Sequence, residues 1–350
     1  MDRVRIGLFG AGLIGREHAR FITAHPRAEL AAIADIGPAA AGFASELGVP
    51  FYSDYRALLA EARLDAVIVA LPNALHLAAG QAVIGAGLPL FMEKPVADTI
   101  TAAQALVAAG TAADIPIQVG HHRRHAPDIQ RARATIAEGQ LGRILAVNGM
   151  WMAKKPRDYF DVAWRREAGG GPMLINLIHD IDLLRYLCGD IESVQAMSAN
   201  SARGFAVEDT VVVLMRFASG ALGTFTLSDA VPSPYGWDTA ACQALYLAHQ
   251  PGDCFFIGGE KATLSVPSMD LWRHEGDGDW RHPLTRTHLA HDHASCYVRQ
   301  LDNFLAVVRG EAKPLVDGAD GMMALATVAA IEEAARTGAR VAPAQMLARG

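Results

Sequence analysis

The chain has 350 residues, 51% of them hydrophobic, and a formal net charge of −6 at pH 7. Its length predicts two domains, and its apolar content is enough for two cores. The negative charge argues against a nucleic-acid partner, because binding a polyanion requires a basic surface.

Cysteine usage and hydropathy exclude further classes of protein. The four cysteines lie far apart without a CxxC pair, so they indicate neither a disulfide framework nor a zinc knuckle. No charged-then-apolar leader precedes the first apolar run, and every apolar stretch is interrupted well short of a membrane span. We therefore expect a soluble cytoplasmic protein without a membrane partner. The dense cationic stretch of Arg123, Arg124, Arg131 and Arg133 is expected on a solvated helix face.

A glycine-rich turn, Gly10-Ala11-Gly12-Leu13-Ile14-Gly15, joins a predicted strand at 4–9 to a predicted helix at 13–24. This pattern is typical of the first turn of a Rossmann unit, where the first glycine allows the tight turn and the second lets the backbone approach a pyrophosphate. The third lets the helix pack close to the strand, and the helix N-terminus directs free N–H groups at the anion. The alternative is a glycine turn that only needs positive φ.

Asp35 ends the next apolar run, twenty residues after Gly15. A carboxylate there can accept hydrogen bonds from both ribose hydroxyls and would repel a 2′-phosphate. Ile36 and Gly37 supply no cation to offset that repulsion. The sequence therefore predicts NAD as the cofactor in preference to NADP.

Strands and helices continue to alternate as far as Gly120, which predicts a doubly wound parallel sheet in a dinucleotide-binding domain at 1–120. The predicted helices are 38–47, 53–62, 74–86 and a helix ending at 109, and the predicted strands are 51–52, 66–71, 89–92 and 117–119. Ligands of such sheets bind at the carboxyl ends of the strands. That rule places Asp35, Leu71-Pro72-Asn73 and Glu93-Lys94-Pro95 along one edge with the glycine turn.

The second half has a different pattern, with several strands divided by turn pairs such as Ser219-Gly220. It predicts an α+β domain at 121–350 built on a large open antiparallel sheet. The predicted strands are 144–152, 210–217, 220–227, 254–257 and 262–266, and the predicted helices are 127–138, 174–187 and 321–336. The segment 232–251 is expected to be a long loop at the cleft or an oligomer contact.

Four motifs occur in the order seen in one known family: the glycine turn, Leu71-Pro72-Asn73, Glu93-Lys94-Pro95, and the segment from Gly169-Gly170-Gly171 to His179-Asp180-Ile181-Asp182. The chain resembles the glucose–fructose oxidoreductase / inositol dehydrogenase (Gfo/Idh/MocA) family over nearly its whole length. The resemblance implies an NAD(P)-dependent dehydrogenase or reductase acting on CH–OH groups of sugars, cyclitols or related polyols. It also implies a nicotinamide at the domain cleft and a homodimer or homotetramer.

Lys94 follows a predicted strand at the cofactor edge. Its ammonium can hydrogen-bond a substrate hydroxyl and stabilise the negative charge that develops on oxygen, which is the role of the family's lysine; the alternative is a surface lysine. Glu93 resembles a residue that contacts the cofactor, or it only neutralises Lys94. Asn73 and His76 match a cofactor-contacting loop, and both could instead cap a helix.

His179 has the position of the family's catalytic histidine, and an imidazole is a natural proton acceptor at neutral pH. The alternative is a satisfied core residue. The family often carries an acid four positions earlier, where this chain has Ile175. Asn176 is the nearest polar substitute. This departure argues against an Asp–His relay and points to a different substrate.

Further substrate-pocket residues are implied by the resemblance, namely Arg123, Tyr159, Trp164 and Arg165, besides Lys94, Asn176 and His179. Their cationic and aromatic groups can hold a polyhydroxylated ring or an anionic group, and each could instead be structural. His288, His291 and His293 form an HxxHxH cluster. We interpret it as a polar loop and helix start and expect no metal, because metal-like spacing alone is permissive.

The leading prediction is hydride transfer between a nicotinamide and a secondary alcohol carbon of a sugar or polyol. One alternative is an enzyme whose tightly bound NAD is reduced and reoxidised within each turnover, giving hydrolysis, isomerisation or aldose–ketose exchange. The other is a non-catalytic nucleotide-sensing regulator. An open sheet with one uncovered apolar face also predicts a homo-oligomer.

Overall fold

The computed structural model describes residues 3–243 and 247–350. These residues form two compact units. The first contains the chain up to His122, Tyr297–Met323 and Gly350, and the second contains Arg123–Cys296 and Ala324–Arg349.

The first unit is built on a six-stranded sheet in which every strand pair is parallel. The strands are β1 (Val4–Phe9), β2 (Ala28–Ala34), β3 (Phe51–Tyr52), β4 (Ala66–Val69), β5 (Leu90–Met92) and β6 (Ile117–Val119), in the order β3-β2-β1-β4-β5-β6. This is the strand order of a dinucleotide-binding Rossmann sheet. The predicted doubly wound parallel sheet is confirmed.

Five helices connect these strands: α1 (Leu13–Ala24), α2 (Ala40–Glu46), α3 (Tyr55–Glu61), α4 (His76–Gly85) and α5 (Ile100–Ala112). A 3₁₀ turn, Asn73–Leu75, precedes α4. The carboxylate of Asp54 caps α3 by accepting the backbone N–H of Arg56 at 2.9 Å. All four residues of β4 are buried, as expected for a strand covered on both faces.

The second unit contains an eight-stranded sheet that is antiparallel except between two strands. Its elements are α6 (Pro127–Ala137), β7 (Ile144–Met152), α7 (Ile178–Cys188), β8 (Ile191–Ala199), β9 (Thr210–Phe217), β10 (Leu222–Ser228), α8 (Trp237–Ala240), β11 (Phe255–Gly259), β12 (Thr263–Val266), β13 (Asp270–Arg273) and β14 (Thr285–His288). The strand order is β14-β13-β12-β11-β7-β10-β9-β8, and the parallel pair is β7 with β10. This confirms the predicted large sheet.

The structure differs from the sequence prediction at four places in the second unit. The sequence missed β8, whose small and polar residues become a strand through an extended antiparallel register with β9. It also missed β13 and β14. The predicted helix at 174–187 is divided into a π-helical turn, Met173–Leu177, and α7. The predicted loop at 232–251 contains the short helix α8, and its residues 244–246 lie outside the described part of the chain.

Three further helices complete the chain: α9 (Cys296–Val308), α10 (Gly318–Thr337) and α11 (Pro343–Arg349). The sequence predicted a helix start after the HxxHxH cluster, and α9 begins at Cys296. Its residues Leu301, Phe304 and Leu305 are buried in the core that also contains β1 and β2. The first unit therefore gains a C-terminal segment that a simple division of the chain at residue 120 leaves out. Within the described residues, none of the helices combines the length and the hydropathy that a membrane span requires.

His125 lies in a buried 3₁₀ turn, His122–His125. Desolvation by burial lowers the pKa of His125 to about 4, against an opposing effect of Asp182. A histidine whose pKa falls on folding binds fewer protons in the folded state than in the unfolded state, at pH values between its folded and unfolded pKa. Stability is therefore lost as the pH falls below the ordinary histidine value toward the folded one.

We expect His125→Gln to remove about 2 kcal/mol of the loss in unfolding free energy between pH 7 and pH 5. Denaturant unfolding at both pH values measures this difference. The exposed His282→Gln serves as the matched control and should keep the wild-type pH dependence. An unchanged pH dependence in His125→Gln would contradict the assignment.

Candidate functional site

The glycine turn between β1 and α1 is closely packed on two sides and open on the third. Gly10 has φ +94°, and a Cβ there would lie 2.4 Å from the carbonyl oxygen of Ala70. A Cβ on Gly15 would lie 2.1 Å from the carbonyl oxygen of Gly10. No atom lies within 4 Å of a Cβ on Gly12. Packing thus requires the first and third glycines, and the second leaves the open approach that a pyrophosphate needs.

The first turn of α1 is suited to an anion. Gly12 is the N-cap in an extended conformation, and the first turn carries no acidic residue. Leu13, the first helical residue, is exposed. Backbone N–H groups at such a helix start, together with the helix dipole, favour negative charge.

Asp35 lies directly after β2 and binds the glycine turn. Its carboxylate accepts the backbone N–H groups of Ala11 and Gly37, each at 2.5 Å. The side chain is only partly buried. A carboxylate fixed by two N–H donors beside the glycine turn matches the position expected of a ribose partner.

The loop after β4 is held to the loop after β5 by His76. Its two ring nitrogens lie 2.8 Å from the carbonyl oxygens of Leu71 and Pro95. Burial lowers the pKa of His76. Asn73 opens the 3₁₀ turn, whose N-cap is Pro72, and no side-chain cap is present at the start of that turn or of α4. The capping interpretation of Asn73 and His76 is therefore wrong.

Glu93 and Lys94 directly follow β5. The buried carboxylate of Glu93 lies 2.8 Å from Nε2 of His18 on α1 and accepts the backbone N–H of Lys94 at 3.1 Å. Despite its burial, the hydrogen bond and charge of His18 and the charge of Lys94 hold the pKa of Glu93 below its usual range. A Cβ on Gly120 would lie 2.9 Å from this carboxylate. Glu93 therefore joins α1 to the backbone at Lys94, which goes beyond neutralising the ammonium.

In the second unit, His179 lies buried in the first turn of α7, directly after the π-helical turn. Backbone hydrogen bonds in a π turn join residues five apart, and such turns are frequent at functional sites. Ile175 lies within this turn, and His179 lies in the α-helix that follows it. Position 175 carries an isoleucine, so it supplies no carboxylate to His179.

The triple glycine before the π turn lets two other groups, the Trp164 carbonyl and the Glu208 carboxylate, come close to its backbone. A Cβ on Gly170 would lie 2.1 Å from the carbonyl oxygen of Trp164, and one on Gly171 would lie 2.4 Å from the carboxylate of Glu208. That carboxylate accepts the backbone N–H of Met173 at 2.8 Å. Glu208 thus binds the start of the π turn that precedes His179.

Arg123 has a different environment from the one expected of a substrate-binding cation. It is 1% exposed, and its guanidinium donates to Asp180 and Asp238, each at 2.7 Å. These carboxylates raise the pKa of Arg123 despite its burial. Arg124 is also buried and forms a two-point ion pair with Asp182. Neither arginine lies on a solvated helix face, because both charges are neutralised inside the unit.

The other residues expected at the substrate pocket are brought together around Lys155. The guanidinium of Arg165 lies 4.1 Å from the ring centroid of Tyr159 and 5.7 Å from that of Trp164. Nζ of Lys155 lies 4.7 Å from the Tyr159 ring and donates to Oδ1 of Asn176 at 2.9 Å. Tyr159, Trp164, Arg165 and Asn176 therefore form one neighbourhood.

Sequence reasoning missed Lys155, His18 and Glu208. Lys155 had a signal, since Lys155-Pro156 follows β7 as Lys94-Pro95 follows β5. The hydrogen bonds of His18 and Glu208 link residues 75 and 35 positions apart, which no local pattern shows. Of the HxxHxH cluster, His288 ends β14 and lies 3.4 Å from a carboxylate oxygen of Asp270.

Comparison with known proteins covers both units. Residues 4–121 match the oxidoreductase family with an NAD-binding Rossmann fold, and residues 129–265 match the GFO/IDH/MocA C-terminal domain. Over 342 residues the chain is 29% identical to 1,5-anhydro-D-fructose reductase of Ensifer adhaerens, covering 95% of this chain and 97% of the relative. It is 27% identical over 331 residues to inositol 2-dehydrogenase of Rhizobium meliloti, covering 92% and 94%.

A solved structure with the same fold is the WlbA dehydrogenase of Bordetella pertussis in complex with NADH and UDP-GlcNAcA. It has a TM-score of 0.80 and 29% identity, and the match covers 97% of this chain and 98% of that one. The family description includes NAD binding by the Rossmann domain, which agrees with the open glycine turn and with Asp35. The chain belongs to the Gfo/Idh/MocA family of oxidoreductases.

Proposed function

We propose that the protein transfers hydride between NAD and a secondary alcohol or ketone carbon of a sugar, cyclitol or related polyol. The observation that carries this proposal is Lys94, which comes after Glu93 at the end of β5, in the unit that also contains the open glycine turn and Asp35. The names of the two relatives, a reductase of an anhydro sugar and an inositol dehydrogenase, support this substrate class.

The first unit fits a dinucleotide. The glycine turn and the start of α1 would hold the pyrophosphate, with Leu13 and Ile14 supplying backbone N–H groups, and Asp35 would hold the ribose. The loop Leu71-Pro72-Asn73, His76 and Glu93 would complete the cofactor site. The nicotinamide supplies the acceptor or donor of the hydride.

Lys94 and His179 would have different roles at the substrate oxygen. The ammonium of Lys94 would hydrogen-bond that oxygen and stabilise the negative charge that develops as the C–H bond breaks. The imidazole of His179 would accept the hydroxyl proton and return it in the reverse direction. Tyr159, Trp164, Arg165 and Asn176 would orient the substrate, and Arg123 would support this region through its pairs with Asp180 and Asp238.

Lys94→Ala and His179→Ala should each lower kcat far more than they weaken NAD binding, because these interactions form chiefly in the transition state. For His179→Ala we expect a loss of roughly 10²–10⁴-fold. Steady-state kinetics on a polyol panel and titration of NADH fluorescence measure the two quantities. The exposed Lys313→Ala is the control.

Three outcomes would contradict this assignment. An unchanged kcat in either variant would move the chemistry to another residue. NAD that never leaves the wild-type protein and returns to its oxidised form in each single turnover would indicate internal recycling. Cofactor binding without turnover of any polyol would favour a nucleotide-sensing regulator.

Asp35→Ser should narrow the preference for NAD over NADP by roughly tenfold or more, because it removes the charge that repels a 2′-phosphate. The ratio of kcat/KM values for the two cofactors measures the effect. Glu46→Ser removes an equal charge from an exposed position of α2 and should leave the ratio unchanged. Comparable kcat/KM values for NAD and NADP in the wild type would refute the preference.

The eight-stranded sheet supports a homodimer or homotetramer. Along β9 the residues alternate between a buried face and an exposed one, and the exposed face carries Val212 and Leu214. Met197 pairs with Val212 from β8 and is 73% exposed, and Leu222 of β10 is also exposed. We propose that a second copy of the chain covers this apolar face.

Leu214→Glu combined with Met197→Glu should shift the protein toward the monomer, because two carboxylates would be desolvated in the interface. Light scattering at micromolar concentration measures the mass. Leu75→Glu introduces a charge at an exposed apolar position of the first unit and should leave the mass unchanged. A wild-type monomer at this concentration would refute the proposal.

A further inference from the structure

Arg16 lies one turn into α1 and reaches back to the glycine turn. Its Nε donates to the carbonyl oxygen of Ala11 at 3.0 Å, in the direction that helical side chains take toward the helix N-terminus. The side chain is half-buried. Among residues 3–243 and 247–350, no carboxylate forms an ion pair with this arginine. Its Nε is therefore committed to Ala11, while the two terminal nitrogens of the guanidinium can serve another acceptor.

Arg16 and Asp35 bind the two polar backbone groups of the same residue. Ala11 donates its N–H to Oδ2 of Asp35 at 2.5 Å, and its carbonyl oxygen accepts Nε–H of Arg16. The backbone of one residue spans at most about 4 Å from nitrogen to oxygen, so Nε of Arg16 and Oδ2 of Asp35 lie no more than about 10 Å apart. One residue of the glycine turn thus holds both an arginine and the carboxylate proposed to bind the ribose.

The segment that leads into α2 contacts the same two side chains. Gly37 donates its N–H to Oδ1 of Asp35 at 2.5 Å, and α2 begins shortly afterwards at Ala40. The guanidinium carbon of Arg16 lies 4.4 Å from the ring centroid of Phe43 on this helix. A cation–π contact holds a guanidinium in place without neutralising its charge. Arg16 and Asp35 therefore each connect the glycine turn with the α2 segment, which places a cation on the side of the turn where the ribose is expected.

This cation bears on the choice between NAD and NADP. Ile36 and Gly37 beside Asp35 are uncharged, so the local sequence shows no partner for a 2′-phosphate. The guanidinium of Arg16 comes instead from the preceding helix. A planar guanidinium binds phosphate oxygens through two parallel N–H···O bonds. Asp35 would repel a 2′-phosphate and Arg16 would attract it, so the preference depends on both charges.

We infer that Arg16 is a specificity-determining residue for the cofactor: its terminal nitrogens form a site for the 2′-phosphate of NADP, and Asp35 blocks that site. This inference rests on the proposed cofactor site and specifies how that site selects NAD. Once the Asp35 carboxylate is removed, binding of NADP should depend on Arg16. A contact between Arg16 and the pyrophosphate would instead affect both cofactors equally, because both carry that group.

The test measures Kd for NADH and NADPH by fluorescence titration in the wild type, Asp35→Ser, Arg16→Gln and the double variant, without any substrate. Asp35→Ser should bind NADPH more tightly than the wild type by roughly tenfold or more. Adding Arg16→Gln should weaken NADPH binding by roughly 10–100-fold, the range of a charge-assisted hydrogen bond, and NADH binding by less than about threefold. Asp35→Asn keeps an acceptor for the Ala11 N–H and gives the same comparison in a second background.

Glutamine is chosen because its amide nitrogen is as many bonds from Cα as Nε of arginine. It can keep the donor to Ala11 while the charged fork is removed, and its helix propensity is similar. Arg20→Gln in the Asp35→Ser background is the matched control, since Arg20 is exposed one turn further along α1 and pairs with Glu17. Arg16→Lys keeps the charge without the fork and should recover part of the NADPH affinity.

Two fragments separate the phosphate groups. Adenosine 2′,5′-bisphosphate carries a 2′-phosphate and no pyrophosphate, whereas ADP carries a pyrophosphate and no 2′-phosphate. In the Asp35→Ser background, Arg16→Gln should weaken calorimetric binding of the first fragment and leave that of ADP unchanged.

A gain in NADPH affinity that survives Arg16→Gln would overturn the inference, as would the absence of any gain when the Asp35 charge is removed. An equal loss of NADH and NADPH affinity in Arg16→Gln would assign Arg16 to the pyrophosphate or to the turn itself, which also overturns it. These outcomes leave the proposed hydride transfer standing, because binding is measured without turnover. A wild type that binds neither cofactor would refute both.

Discussion

The close backbone approach at the glycine turn is the constraint on which the first unit depends. Gly10 lies against the carbonyl of Ala70, and Gly15 lies against the carbonyl of Gly10. A side chain at Gly10 would push the turn away from Ala70, and one at Gly15 would push α1 away from the turn. Because α1 lies this close, polar groups at the ends of other strands can reach it and the turn before it.

Two carboxylates lie close enough to bind α1 or the turn before it. Asp35, after β2, accepts the N–H of Ala11 in the turn, and Glu93, after β5, binds His18 on α1. The β1–α1 connection is therefore tied to the end of β2, which neighbours β1, and to the end of β5, which lies beyond β4. The same Glu93 carboxylate accepts the N–H of Lys94, so the placement of this lysine depends on the packing of α1.

The second unit contains buried cations that are paired with carboxylates. Arg123 and Arg124 are neutralised by buried carboxylates, as buried ions must be. Lys155 also has a buried carboxylate partner, yet it additionally binds the partly exposed Asn176. A buried cation thereby determines which end of this partly exposed amide faces it.

The sequence by itself determined the parallel sheet, the glycine turn and the large second sheet. It also determined that Asp35 and Lys94 come after the ends of strands. These follow from local rules: apolar runs of strand length, glycines at fixed spacing, and residues that directly follow a strand. The roles of the predicted site residues remain proposals. Tertiary structure decided what depends on distant partners. It buried Arg123 between two carboxylates, brought α9 into the first core, divided the helix before His179 with a π turn, and placed Lys155 on Asn176. Each of these depends on contacts between segments far apart in the chain, and local periodicity carries no information about which distant group will neutralise a charge or accept a hydrogen bond.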